Sequence, residues 1–126
     1  MRSYGRTLVE MLALLVVLSL FHISAKDNGR TFTLKPHTPF VVALPWTPGT
    51  GYLWEYKPAP GAHKLLRNTG WHEIRPKNAR PGAQGKMAWD FRTRRRPGTV
   101  RLLFRYIRPW EKQKVARRFS VTIGVR

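Results

Sequence analysis

Thr99-Val100-Arg101-Leu102-Leu103-Phe104-Arg105-Tyr106-Ile107-Arg108 alternates with a period of two residues. On an extended chain Val100, Leu102, Phe104 and Tyr106 share one face, and Arg101 and Arg105 share the other, the pattern of a half-buried β-strand. Phe119–Val125 repeats it, with Phe119, Val121, Ile123 and Val125 set against Ser120, Thr122 and Gly124. Leu53–Lys57 sets Trp54 and Tyr56 against Glu55 and Lys57, and Met87–Arg92 carries Met87, Trp89 and Phe91 in phase. Arg30–Leu34 contributes Phe32 and Leu34, and Phe40–Leu44 is apolar throughout.

Between these segments turn signals recur at Pro36–Pro39, Pro45–Gly51, Pro58–Gly61, Asn68-Thr69-Gly70, Pro76–Gly85, Pro97-Gly98 and Pro109. Short β-branched and aromatic segments at such spacing predict an all-β domain. No stretch offers a breaker-free helical repeat, so helix content is expected to be close to nil. Strands with one apolar face each must pair two sheets. The expectation is an immunoglobulin-like β-sandwich of seven to eight strands.

Outward from this region, the N-terminus reads differently. Arg2 and Arg6 precede Met11–Phe21, which is apolar but for Ser19, and Ile23-Ser24-Ala25 then leads into polar sequence. A positive start, a short apolar centre and a small-residue exit form the layout of a secretory signal peptide. The run falls short of the roughly 20 apolar residues of a membrane span. Residues 1–25 are therefore expected to be a leader cleaved after Ala25, and residues 26–126 the folded domain. A periplasmic or secreted location follows, with no stable membrane insertion after cleavage. The chain has no cysteine, so its core must hold without disulfides.

Of 24 basic and 6 acidic residues in the whole chain, two arginines and Glu10 lie within residues 1–25. The remainder therefore carries 22 basic and 5 acidic residues, a net charge of +17. Such a field attracts anionic partners and speeds their association, but does not choose among them.

Catalytic chemistry finds little support. Beyond the leader the one serine, Ser120, sits mid-strand, and there is no thiol nucleophile to pair with a base. The acids Asp27, Glu55, Glu73, Asp90 and Glu111 form no close pair of the glycosidase kind. His37, His63 and His72 lack ligand-like spacing, and no glycine-rich phosphate loop opens a helix. No catalytic residue, metal or cofactor is expected. The chain reads as a binding module.

Three loops stand out from ordinary turns. The first is Pro45-Trp46-Thr47-Pro48-Gly49-Thr50-Gly51-Tyr52-Leu53-Trp54, and the second is Pro81-Gly82-Ala83-Gln84-Gly85, leading into Trp89-Asp90-Phe91. The third is Arg108-Pro109-Trp110. In this order they resemble the chagasin-like inhibitors of papain-family cysteine peptidases. That family carries an Asn-Pro-Thr-Thr-Gly-Tyr-x-Trp loop, a glycine-rich loop before a strand ending in Phe, and an Arg-Pro-Trp/Phe loop. The resemblance runs from about Thr31 to the C-terminus. It implies a sandwich whose three loops wedge reversibly into the active-site cleft of a papain-like cysteine peptidase.

By position, the resemblance assigns Thr47, Pro48, Gly49, Thr50, Gly51 and Tyr52 to the first binding loop. Gly82 and Gly85 fall to the second, and Arg108, Pro109 and Trp110 to the third. Thr47 replaces the usual Asn and Gly49 the usual first Thr, implying a shifted or weakened enzyme preference. Restoring Asn and Thr there is expected to tighten binding. The residues themselves agree: Trp and Arg on proline-stiffened loops suit binding hot spots. Trp54 reads as a core tryptophan. A monomer is expected. The competing reading is a basic sandwich that binds an anionic polymer or surface such as nucleic acid, lipopolysaccharide or phospholipid. It accounts for the charge and leaves the three loops unexplained.

Overall fold

The computed structural model describes residues 20–126; the expected leader up to Ser19 lies outside them. Eight strands follow in chain order: β1 Phe21–Ile23, β2 Thr31–Leu34, β3 Pro39–Trp46, β4 Leu53–Lys57, β5 Leu66–Ile74, β6 Gly85–Thr93, β7 Gly98–Ile107 and β8 Arg117–Val125. They form two four-stranded sheets, β1-β3-β6-β5 and β2-β8-β7-β4, packed as a sandwich. The helical content among the described residues is one turn, α1 Ala62–Leu65, and two short 3-10 turns, Ala25–Asp27 and Pro109–Glu111.

The alternation read in β7 and β8 is what closes the sandwich. Their antiparallel register sets Val100 opposite Ile123, Leu102 opposite Val121 and Phe104 opposite Phe119. All six are buried. Against them pack Phe40, Val42, Leu44, Met87, Trp89 and Phe91 from β3 and β6. Burying side chains of this size stabilises by about 1.5–3 kcal/mol each, which is how a chain without disulfides holds. Trp54 is buried in this core, as expected, and its Nε1–H donates to the Pro45 carbonyl at 2.8 Å.

Two elements depart from the sequence reading. Asn68-Thr69-Gly70, read as a turn, lies inside the nine-residue β5 as a bulge, where the register against β6 shifts between Asn68 and Gly70. The Asn68 Oδ1 accepts from the Gly70 N–H at 3.0 Å, so the turn chemistry is present but spent within the strand.

The second concerns the start of the fold, which extends upstream of Lys26. Strand β1 pairs in parallel with β3, setting Phe21 beside Phe40 and Ile23 beside Val42. Ile23 is fully buried, and Phe21 meets Phe32 edge-on with ring centroids 5.1 Å apart. The Ser24 N–H donates to Asp27 Oδ2 at 2.9 Å, and Arg30 Nη1 reaches Asp27 Oδ1 at 3.1 Å. These bonds hold the buried Asp27 carboxyl below the usual carboxylate range, the Ser24 backbone donor contributing most. Residues expected to leave with the leader thus complete one sheet edge.

Candidate functional site

Strand pairing alone brings the three unusual loops to one end of the sandwich. Trp46, the last residue of β3, sits opposite Gly85, the first of β6. Leu53, the first of β4, sits opposite Ile107, the last of β7. The connections Thr47–Tyr52 (L1), Arg75–Gln84 (L2) and Arg108–Ala116 (L3) therefore emerge side by side.

L1 is built by its own side chains. The Thr50 hydroxyl donates to the Thr47 carbonyl at 2.9 Å and accepts from the Tyr52 N–H at 3.3 Å. The Trp46 indole N–H donates to the Tyr52 carbonyl at 2.8 Å, closing the base of the loop. Gly49 and Gly51 take φ of 90° and 83°, a left-handed region that glycine enters without steric penalty. Pro48 stiffens the turn between them and β3.

L3 begins with Arg108 and turns at once through Pro109–Glu111, with proline at the first helical position and the Glu111 N–H donating to the Arg108 carbonyl at 2.9 Å. The Arg108 guanidinium lies 4.4 Å from the Tyr52 ring centroid, and Tyr52 stacks on Tyr106 at 5.2 Å. This layered contact ties L1 to L3. The Nε of Arg108 is buried and has no hydrogen-bond partner among the described residues, which marks its guanidinium as a packing element of the loop base.

Trp110 is 69% exposed and is the most exposed large apolar side chain described. Its ring crosses the backbone of Gly51 so closely that a Cβ there would stand 2.5 Å from Trp110 Cη2. Gly51 is favoured by its φ, and its missing Cβ is what lets the indole lie against the loop backbone. The tip of L2 comes near as well: a Cβ on Gly82 would lie 4.0 Å from the Pro48 carbonyl oxygen.

The loop residues named from the sequence divide in two. Thr47, Pro48, Gly49, Thr50, Gly51, Tyr52, Gly82, Arg108, Pro109 and Trp110 all lie in L1, L2 or L3. Gly85 is buried in β6, where a Cβ would meet the Ile74 carbonyl oxygen at 2.7 Å. Its role in the fold is the close approach of β5 and β6. Sequence reasoning missed Trp71, which is 54% exposed on β5 and meets Trp46 edge-on at 6.3 Å beneath the loops. The bulge residues that looked like a turn hid its strand.

The tips offer apolar and backbone surface with little chemistry. Among the described residues no three His, Cys, Asp or Glu side chains gather to hold a metal. Glu55, below L3, is engaged by Arg105 at 2.6 Å, which lowers its carboxyl below the ordinary range.

Residues 33–125 match the model of the Chagasin family peptidase inhibitor I42. The chain belongs to the chagasin family of peptidase inhibitors. The chagasin-family match covers all of L1, L2 and L3, and makes the chain an inhibitor rather than an enzyme.

Solved structures share the fold at low identity. The cysteine protease inhibitor EhICP2 from Entamoeba histolytica superposes with a TM-score of 0.73 at 18% identity, covering 85% of this chain and 96% of that one. Amebosin gives 0.67 at 22% identity, covering 85% and 98%. PbICP-C, solved in complex with falcipain-2, gives 0.55 at 15% identity, covering 83% and 97%. No curated protein sequence matches the chain.

Proposed function

We propose that this chagasin-family protein inhibits papain-like cysteine peptidases reversibly, by seating L1, L2 and L3 in the active-site cleft. The observation that carries the reading is the exposed Trp110 lying across Gly51, in the loop whose Arg108 stacks on Tyr52 of L1. An exposed aromatic anchor beside a side-chain-free backbone suits a cleft: the indole buries apolar area, and the glycine-bent L1 brings main chain to the floor. Because the loops are ordered by their own hydrogen bonds, little conformational entropy remains to be lost on binding. Gly49 and Gly51 bend L1 away from an extended strand, so the loop blocks the cleft without lying in it as a substrate. L2 supplies the third side of the wedge through Gly82. The inhibitor contributes no reacting group, so dissociation returns it uncut.

The test is inhibition of several papain-like enzymes by the purified protein, followed by electrophoresis of the recovered inhibitor. Slowed hydrolysis with intact inhibitor is expected at or below micromolar concentration. Failure against all of them would sink the reading.

Export belongs to the same proposal, with processing placed before Phe21 rather than after Ala25. Supporting it are the buried Ile23 and the Ser24–Asp27 bond, both lost to a cut after Ala25. Ser19 is the nearest small residue upstream. N-terminal sequencing of protein from the native host decides between the two, and Lys26 as first residue would refute the earlier cut.

A further inference from the structure

The end of the sandwich opposite the loops carries a cluster of basic side chains. Strand β6 runs from Gly85, at the loop end, to Thr93 at the other, a separation of roughly 26 Å at 3.3 Å per residue. There the β6–β7 turn and the ends of α1 and β5 enclose an open cavity of about 460 Å³. Lys64, Arg67, Arg92, Arg94, Arg95 and Arg96 line it, with His37 and Thr93. No acidic side chain lines it, and none of those six cations forms an ion pair among the described residues.

Solvated surface arginines are ordinary, but two features set this group apart. Arg67 and Arg92 stand directly opposite each other in the β5–β6 register, an arrangement in which like charges destabilise the sheet. His37, at the rim, holds a left-handed φ of 61°, uncommon for a residue with a Cβ. The β5–β6 register imposes the first, and a hydrogen-bonded frame around Thr93 holds the second. The Thr93 hydroxyl donates to the Lys35 carbonyl and accepts from the Thr38 N–H, each at 2.7 Å, and the His37 N–H donates to the Thr93 carbonyl at 3.0 Å. Across the turn, the Arg94 N–H donates to the Leu65 carbonyl at 2.7 Å. Cations that repel one another are thus set around one cavity by the sheet register and the turn, with no acidic side chain among them to offset the charge.

We infer that this cavity is a second binding site, for phosphate oxyanions, independent of the inhibitory loops. Guanidinium forks match phosphate geometry two bonds at a time, and a dianion or polyanion would relieve the Arg67–Arg92 repulsion. The phosphates can come from a soluble oligophosphate or from the headgroups of an anionic membrane. In either case L1, L2 and L3 point away, so phosphate binding leaves the peptidase site free.

The test uses the full chain and a variant with Arg94→Gln, Arg95→Gln and Arg96→Gln, whose side chains lie in an exposed turn. Tripolyphosphate is titrated calorimetrically, and vesicles of phosphatidylcholine with or without phosphatidylglycerol are sedimented with protein at about 0.1 M salt. Expected is binding to tripolyphosphate, or to the phosphatidylglycerol vesicles above the phosphatidylcholine level, that weakens at least tenfold in the variant and further as salt rises. Binding in the first arm names a soluble ligand, and binding in the second alone names a headgroup. Inhibition of a papain-like enzyme should stay within twofold in both proteins, and tripolyphosphate should leave it unchanged. Equal binding by wild type and variant, or no binding of either probe, would overturn the site. So would a parallel loss of peptidase inhibition, because the two ends would then not be independent.

Discussion

Replacing Trp110 by alanine isolates the anchor of the proposed wedge. A tryptophan presents roughly 250 Å² at most, and Trp110 keeps 69% of its accessibility in the free protein. About 170 Å² is therefore available to a cleft, worth at most about 4 kcal/mol at 25 cal/mol per Å². Partial contact and the ordering of the indole reduce this to about 2–3 kcal/mol, a rise of roughly 30- to 150-fold in the inhibition constant at 1.4 kcal/mol per decade. The part already buried covers Gly51, so the loss of folding stability should stay within about 2 kcal/mol.

Inhibition constants against one papain-like enzyme, with urea unfolding of each variant, measure both quantities. Gly51→Ala supplies the partner test. Its Cβ would stand 2.5 Å from Trp110 Cη2 at a φ of 83°, displacing an indole left otherwise intact. It should weaken inhibition by a similar factor, and the double variant should fall well short of the product of the two, because both act on one contact. A folded Trp110→Ala protein that inhibits like the wild type would refute the reasoning, as would full additivity with Gly51→Ala.

Further outcomes follow from the same geometry. Arg108→Ala should raise the inhibition constant about 5- to 30-fold by removing the cation from the Tyr52 ring, and Arg108→Lys should restore only part of it, as read from the same assay. Gly85→Ala should cost about 1–3 kcal/mol of stability in urea unfolding, because its Cβ meets the Ile74 carbonyl oxygen. Thr47→Asn should tighten inhibition by strengthening the turn, but Gly49→Thr should not, since Gly49 holds a φ of 90° that strains a β-branched residue; inhibition constants for the two single variants separate these. Asp27 and Glu55 both titrate below their unfolded values, held there by the Ser24 N–H and by Arg105 respectively. Their stabilisation is fully present above the unfolded carboxylate range near pH 4 and is lost as pH falls through the folded values. Unfolding free energy measured against pH should therefore drop on acidification below about pH 4, and Asp27→Asn should flatten that drop.

Thr99–Ile107 and Phe119–Val125 determined the sandwich by themselves, because a period of two with one apolar face admits few folds and the pattern needs no partner to be read. The ordered loops were legible for the related reason that proline, glycine and tryptophan act through local backbone geometry. Only the tertiary structure decided what depends on neighbours distant in sequence. Phe21–Ile23 looks like the tail of an apolar leader until β3 lies beside it and buries Ile23. Asn68-Thr69-Gly70 carries turn chemistry, yet β6 stretches it into a bulged strand. Gly85 and Gly51 look alike as loop glycines, but a β5 carbonyl fills the space at one and the Trp110 indole fills it at the other. The arginines of the β6–β7 turn are adjacent in sequence, but only the fold sets Arg67 against Arg92 and brings Lys64 and these side chains to one open cavity. Local patterns name elements because they are short-range physics; which surfaces meet is set by packing, and packing is where both sites of this protein are made.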